Sequence, residues 1–79
     1  MSINYHCIKD ILSYVKHYLR INNQPCPAHI VLSPYSHKEI SFHLSLLYHT
    51  NCIQCLVKNY NITHIKSITI TGISLYDSL

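Results

Sequence analysis

Apolar residues recur at helical spacing near the start of the chain. Ile3, Cys7, Ile8, Ile11, Leu12, Val15 and Leu19 share one side of a helix. Lys9, Asp10, Ser13, Lys16, His17 and Arg20 fall mostly on the other side. The pattern predicts an amphipathic helix over residues 3–21. Asn22, Asn23, Gln24 and Pro25 break it and predict a loop. Residues 28–32 form a short, partly β-branched run bounded by Pro27 and Pro34, which predicts an edge strand.

The stretch over residues 34–55 is the most informative. Ser36 can accept a hydrogen bond from a free backbone N–H at a helix start, and Glu39, three residues on, completes a capping box. Ile40, Leu44 and Leu47 then repeat at helical spacing, so a second helix is predicted over about residues 37–50. Asn51 can take the left-handed conformation that stops a helix. Two β-type runs follow, at residues 52–57 and 67–71, with a polar connection near residues 59–63. They predict a hairpin spanning residues 52–71. Thr71 and Gly72 then end the sheet, and residues 73–79 begin a short terminal helix. The order is N-terminal helix, short edge strand, second helix, β-hairpin wing and short C-terminal helix. It is the order of a winged-helix-like α+β domain.

Composition narrows the picture. The chain has 79 residues, enough for a single domain over residues 1–79. Hydrophobic residues make up 48%, and only six basic and three acidic side chains are present. Disorder needs few apolar residues and many charges, so the composition argues against it. A core of this size contributes only about 3–5 kcal/mol, and a homodimer or another partner is expected to complete it. The net charge of +3, with seven His neutral, is mildly basic and does not by itself announce a nucleic-acid binder. Residues 1–10 lack a basic n-region, and no apolar h-region follows. No apolar run approaches the ~18–20 residues of a membrane span. A cytoplasmic protein is expected, with Cys7, Cys26, Cys52 and Cys55 reduced.

Short motifs carry a resemblance. Tyr35-Ser36 stands before the second helix, followed by Ile40, Phe42-His43 and Leu46-Leu47. Asn51 precedes Cys52-Ile53, and the chain ends Ile70-Thr71-Gly72-Ile73-Ser74-Leu75-Tyr76-Asp77-Ser78-Leu79. Ile8-Lys9-Asp10-Ile11-Leu12 lies in the first helix. Over nearly its whole length the chain resembles a family of small winged-helix proteins from phages and bacterial mobile elements, grouped under a domain of unknown function. It departs from that pattern where Asn51 replaces a Gly, and at its ending, which is one residue tighter and lacks the usual Trp. The resemblance implies a winged helix in the cytoplasm of a phage host. It does not decide function, because winged helices host DNA readers and protein-interaction modules alike.

The residues with chemistry divide into three groups. Cys26, His29, Cys52 and Cys55 have spacing compatible with a zinc site. A strand over residues 52–57 would point Cys52 and Cys55 to opposite faces, so buried thiols acting as small hydrophobes are expected instead, with no cofactor. His43 flanks the apolar stripe of the second helix, and its expected role is a hydrogen bond that fixes this helix against the sheet or a partner, with a ligand or pH-switch role as the alternative. The third group is a polar face of His37, Lys38, Ser41, Ser45 and His49 on the second helix, which would enter a major groove in a DNA reader. Lys58, His64 and Lys66 around the wing, with Lys16 and Arg20, would touch phosphates.

No catalytic motif is visible, so a non-enzymatic protein is expected. Two functions fit. One is a mobile-element regulator that binds double-stranded DNA weakly, as a homodimer. The other is a phage-encoded interaction module that inhibits a host protein complex, such as a CRISPR-type defence. The second draws on the abundance of Tyr and on Phe42 and Leu46, whose exposure would mark a binding patch.

Overall fold

The computed structural model describes residues 1–79. Its first helix, α1 (Tyr5–Asn22), starts two residues later than the apolar stripe suggested, because Asn4 is its cap. The Asn4 side-chain oxygen accepts the Cys7 N–H at 3.2 Å, and Ile3 is left outside and exposed. Cys7, Ile8, Ile11, Leu12 and Val15 are buried, as the stripe predicted. At the far end Asn23 takes the left-handed conformation, φ 51°, and donates its N–H to the Leu19 carbonyl at 3.0 Å. That single bond is the simpler of the two left-handed helix stops.

The edge strand is displaced. Strand β1 (Cys26–Pro27) is two residues long and pairs with Ile65 and His64. One further bond runs from the Ala28 N–H to the Thr63 carbonyl at 3.0 Å. Beyond it, residues 28–32 leave the sheet instead of forming the expected strand. Ile30 is buried in the core while Val31, beside it, is 79% exposed. Ile30 is buried and Ala28 and Leu32 are half-buried against the core, so burial of this side of the segment decides its path without sheet pairing.

Helix α2 (His37–His49) follows the sequence pattern closely. The Ser36 hydroxyl accepts the Glu39 N–H at 3.1 Å. Only this half of the capping box forms, because the Glu39 carboxylate accepts from the Asn4 side-chain amide at 3.4 Å instead. At the helix end Asn51 has φ 62°. Cys52 donates its N–H to the Leu47 carbonyl at 2.8 Å, and Asn51 donates to the Tyr48 carbonyl at 3.2 Å. This is a complete Schellman motif, with buried Cys52 and Leu47 as its apolar pair.

The hairpin covers residues 53–68, less than the expected 52–71, but its loop is tighter and its second strand longer than expected. Strand β2 (Ile53–Lys58) and strand β3 (Asn61–Ile68) are joined only by Asn59 and Tyr60. Both have positive φ, 51° and 67°, as a type I′ turn requires. Eight residues of β3 face six of β2, because Thr63 and Lys66 are bulged out of the pairing. The sheet order is β1-β3-β2, all antiparallel.

Helix α3 (Ile70–Ser78) begins where the sequence suggested the end of a strand. Thr69 caps it: its hydroxyl oxygen accepts the Gly72 N–H at 3.1 Å and donates to the Asn51 carbonyl at 2.6 Å. Thr69 also donates its backbone N–H to the Cys52 carbonyl at 3.0 Å. Ile70, Thr71 and Gly72 therefore belong to a helix and not to the sheet. Thirteen buried apolar residues from α1, α2, the sheet and the connections between them form one core. The architecture is α+β, with three helices on a three-stranded antiparallel sheet. No helix is long and apolar enough to cross a membrane.

Candidate functional site

An open groove of about 720 Å³ separates the outer face of α2 from the hairpin. Its helix wall carries His37, Ser41, Ser45, Tyr48 and His49, with Leu44 toward the core. Its opposite wall carries Val57, Tyr60, Asn61 and Ile62 from the end of the hairpin. Ala28 and His29 close it near β1. The spacing of α2 makes the helix wall: Ile40, His43, Leu44 and Leu47 turn inward, so the residues between them turn out. The bulge at Thr63, one residue after Ile62, raises the local twist of the hairpin.

Of the expected site residues, His37, Ser41, Ser45 and His49 meet in this groove. Lys38 is exposed on α2 outside the lining. Lys58 is exposed at the last position of β2, next to the turn. Lys66 is an exposed bulge residue of β3, and His64 is half-buried, its ring nitrogen Nδ1 lying 3.1 Å from the Thr63 hydroxyl. Phe42 is half-buried rather than exposed, its ring edge-on to His43 at 5.0 Å between centroids. Leu46 is likewise partly buried against the core. The patch expected from these two is therefore largely covered. Lys16 stands over the Tyr76 ring at 5.3 Å, committed to α3.

Val57, Tyr60, Asn61 and Ile62 of the hairpin wall were not among the expected site residues, and His29, expected only as a possible zinc ligand, lines the groove instead. A two-residue turn at Asn59-Tyr60 would have placed Tyr60 at the tip, but the usual Gly of such a turn is absent. His29 lies beside His37, with ring centroids 5.4 Å apart. His49 directs Nδ1 at the Ser45 carbonyl, 2.8 Å away, so Nδ1 carries the proton and Nε2 remains free for a partner.

The acidic groups lie elsewhere. Asp10 of α1 accepts a 2.7 Å hydrogen bond from the Tyr35 hydroxyl. That bond holds the Tyr35 phenol up at about 12, with burial and the negative charge of Asp10 adding to it. Glu39 is turned toward Asn4, and Asp77 is on α3. No carboxylate lines the groove.

The cysteines are part of the core. Cys7, Cys26 and Cys52 are buried and Cys55 half-buried. Burial pushes the Cys26 and Cys55 thiols up to about 11. Burial, with the charges of Glu39 and Asp10, does the same to Cys7. Cys52 lies outside β2, so strand alternation is not what separates it from Cys55. It is turned back toward Thr50, whose hydroxyl donates to its sulfur at 3.4 Å. No three His, Cys, Asp or Glu side chains come close enough together to hold a metal ion.

His43 is fully buried. Its Nε2 accepts the Asn4 backbone N–H at 2.9 Å, so the proton is on Nδ1, which donates to the Glu39 carbonyl at 2.7 Å. The ring joins α2 to the cap of α1, and not to the sheet as expected. Every buried side-chain nitrogen and oxygen has a hydrogen-bond partner.

No protein-family model matches the chain, and no match was found among curated proteins or among solved structures. The resemblance to phage and mobile-element winged-helix proteins rests on the sequence motifs alone.

Proposed function

We propose that this chain is a small, non-enzymatic winged-helix regulator that binds double-stranded DNA weakly, and does so usefully as a homodimer. The order helix, strand, helix, hairpin and the sheet order β1-β3-β2 suit a winged helix, with α2 as the reading helix and the β2–β3 hairpin as the wing. One observation carries the reading. The exposed polar face of α2 and the hairpin tip line a single groove that contains no carboxylate. An anionic backbone can approach such a groove without repulsion. Lys38 and Lys58, exposed near its two walls, supply positive charge. Ser41 and Ser45 are able to hydrogen-bond base edges.

Three exposed lysines on α2 and the hairpin imply few phosphate contacts. The logarithm of the binding constant should then fall with log salt at a slope of about −3 per bound chain, and about twice that for a homodimer, by about 0.9 per phosphate contact. Fluorescence anisotropy with a labelled duplex at stepped salt tests this. Ser45→Glu, which puts a carboxylate into the groove, should abolish the binding. A parent chain that binds no duplex even at low salt would overturn the reading.

A second reading, an interaction module for a host protein complex, is favoured by the exposed apolar side chains. Ile70 and Val31 are 84% and 79% exposed, and Leu56 and Val57 stand out from the outer strand β2. Capture from host lysate that survives nuclease treatment would support it over DNA binding.

A further inference from the structure

We propose that Tyr60 is held at the hairpin tip for contact with the sugar–phosphate backbone of a duplex, at the expense of fold stability. The inference rests on the DNA reading above and names the contact residue of its hairpin wall. Tyr60 has φ 67°, in the left-handed region. Asn59 beside it, at φ 51°, is a residue type that tolerates this region; a bulky aromatic residue is not. Glycine is the residue favoured at the second position of such a turn.

Nothing in the fold repays the strain. The Tyr60 side chain is fully exposed, so it adds no burial. The turn is braced without it, by the Asn61 side-chain amide donating to the Asn59 carbonyl at 3.1 Å. Strained backbone of this kind points to a role outside folding. Tyr60 nevertheless lines the groove opposite Ser41, Ser45 and His49, and it lies two residues after the exposed Lys58. A phenol at that place can donate its hydroxyl proton to a phosphate oxygen while its ring packs on a deoxyribose. Lys58 adds charge to the same tip.

Thermal melts and duplex anisotropy on the parent chain, Tyr60→Gly, Tyr60→Phe and Ser45→Glu test the inference. Tyr60→Gly should melt roughly 4 °C or more above the parent, a shift readily seen in a domain this small. It should bind the duplex about tenfold more weakly, equivalent to about 1.4 kcal/mol. Tyr60→Phe should melt with the parent and show a smaller loss of affinity. Tyr60→Gly melting below the parent would overturn the strain argument and the inference with it. Unchanged duplex affinity in Tyr60→Gly, with binding lost in Ser45→Glu, would remove Tyr60 from the contact and leave the DNA reading standing. Absence of duplex binding by the parent would overturn both.

Discussion

Asn4 donates its backbone N–H to Nε2 of His43 across 2.9 Å, so the residue that caps α1 is held by a buried ring of α2. Through this bond one imidazole fixes both its own tautomer and the angle at which the chain enters its longest helix. The Asn4 side chain completes the junction, accepting from the Cys7 N–H and donating to Glu39.

Replacing that ring should be costly. His43→Phe keeps most of the volume but leaves the Asn4 N–H without its partner and removes the second of the two hydrogen bonds to the Glu39 carbonyl. A loss of about 1–3 kcal/mol is expected, and His43→Ala should lose more because a cavity is added. Urea unfolding measures both. His43→Phe unfolding at the parent midpoint would mean that the two hydrogen bonds contribute nothing net.

Gly72 admits no side chain. A Cβ there would overlap the Cys52 carbonyl oxygen and crowd Ile68, and the carbonyl is backbone that cannot step aside. Gly72→Ala should therefore destabilise by about 1–3 kcal/mol through forced backbone shifts, although alanine is the better helix former. An exposed α3 position such as Ser74→Ala is the control, and it should be neutral or slightly stabilising. Equal urea midpoints for the two variants would show that α3 can move off Cys52 freely.

Asn51 closes α2 with φ 62°. Asn51→Ala should cost about 1 kcal/mol, because a Cβ is disfavoured in the left-handed region and alanine lacks the short polar side chain. Asn51→Gly should be neutral or slightly stabilising. A Gly variant weaker than the Ala variant would contradict this account of the helix stop.

The raised thiols predict an alkaline limit to stability. Cys7, Cys26 and Cys55 titrate at about 11 when folded, against 9.0 when unperturbed. The folded state keeps its protons longer, so the contribution is fully present below pH 9 and is lost as pH rises toward 11. Urea midpoints should fall across that window. The fall should be shallower in a chain carrying Cys7→Ala, Cys26→Ala and Cys55→Ala. A thiol reagent at pH 8–9 should label the folded chain far more slowly than the unfolded chain.

Both long helices were legible because their stripes, caps and left-handed stops are local signals. Ser36, Glu39 and Asn51 each act within a few residues of their own position. The hairpin was legible as a pair of strands, but not in its register. Asn61 and Thr63 read as a polar loop because their β partners are distant in sequence and the turn lacks glycine. Thr69 behaved in the same way. It is an N-cap by residue type, yet the β-branched Ile68, Ile70 and Thr71 around it read as strand. The burial of Ile30, rather than of a whole strand, depends on where α1 and the sheet leave space, which no local pattern encodes. The groove was half legible. The α2 wall follows from helical periodicity, whereas Tyr60, Asn61 and His29 reach it only through tertiary placement.

The bonds of Thr69 to Asn51 and Cys52 clasp the two feet of the β2–β3 hairpin together. A ribbon fixed at its base and free at its tip is a cantilever, and its displacement grows with distance from the anchor. Beyond the bond of Ala28 to Thr63 the ribbon makes no hydrogen bond to the rest of the fold, and Tyr60 stands at that end. The width of the groove at Tyr60 is thus set by the ribbon's own stiffness and not by the packing beneath α1.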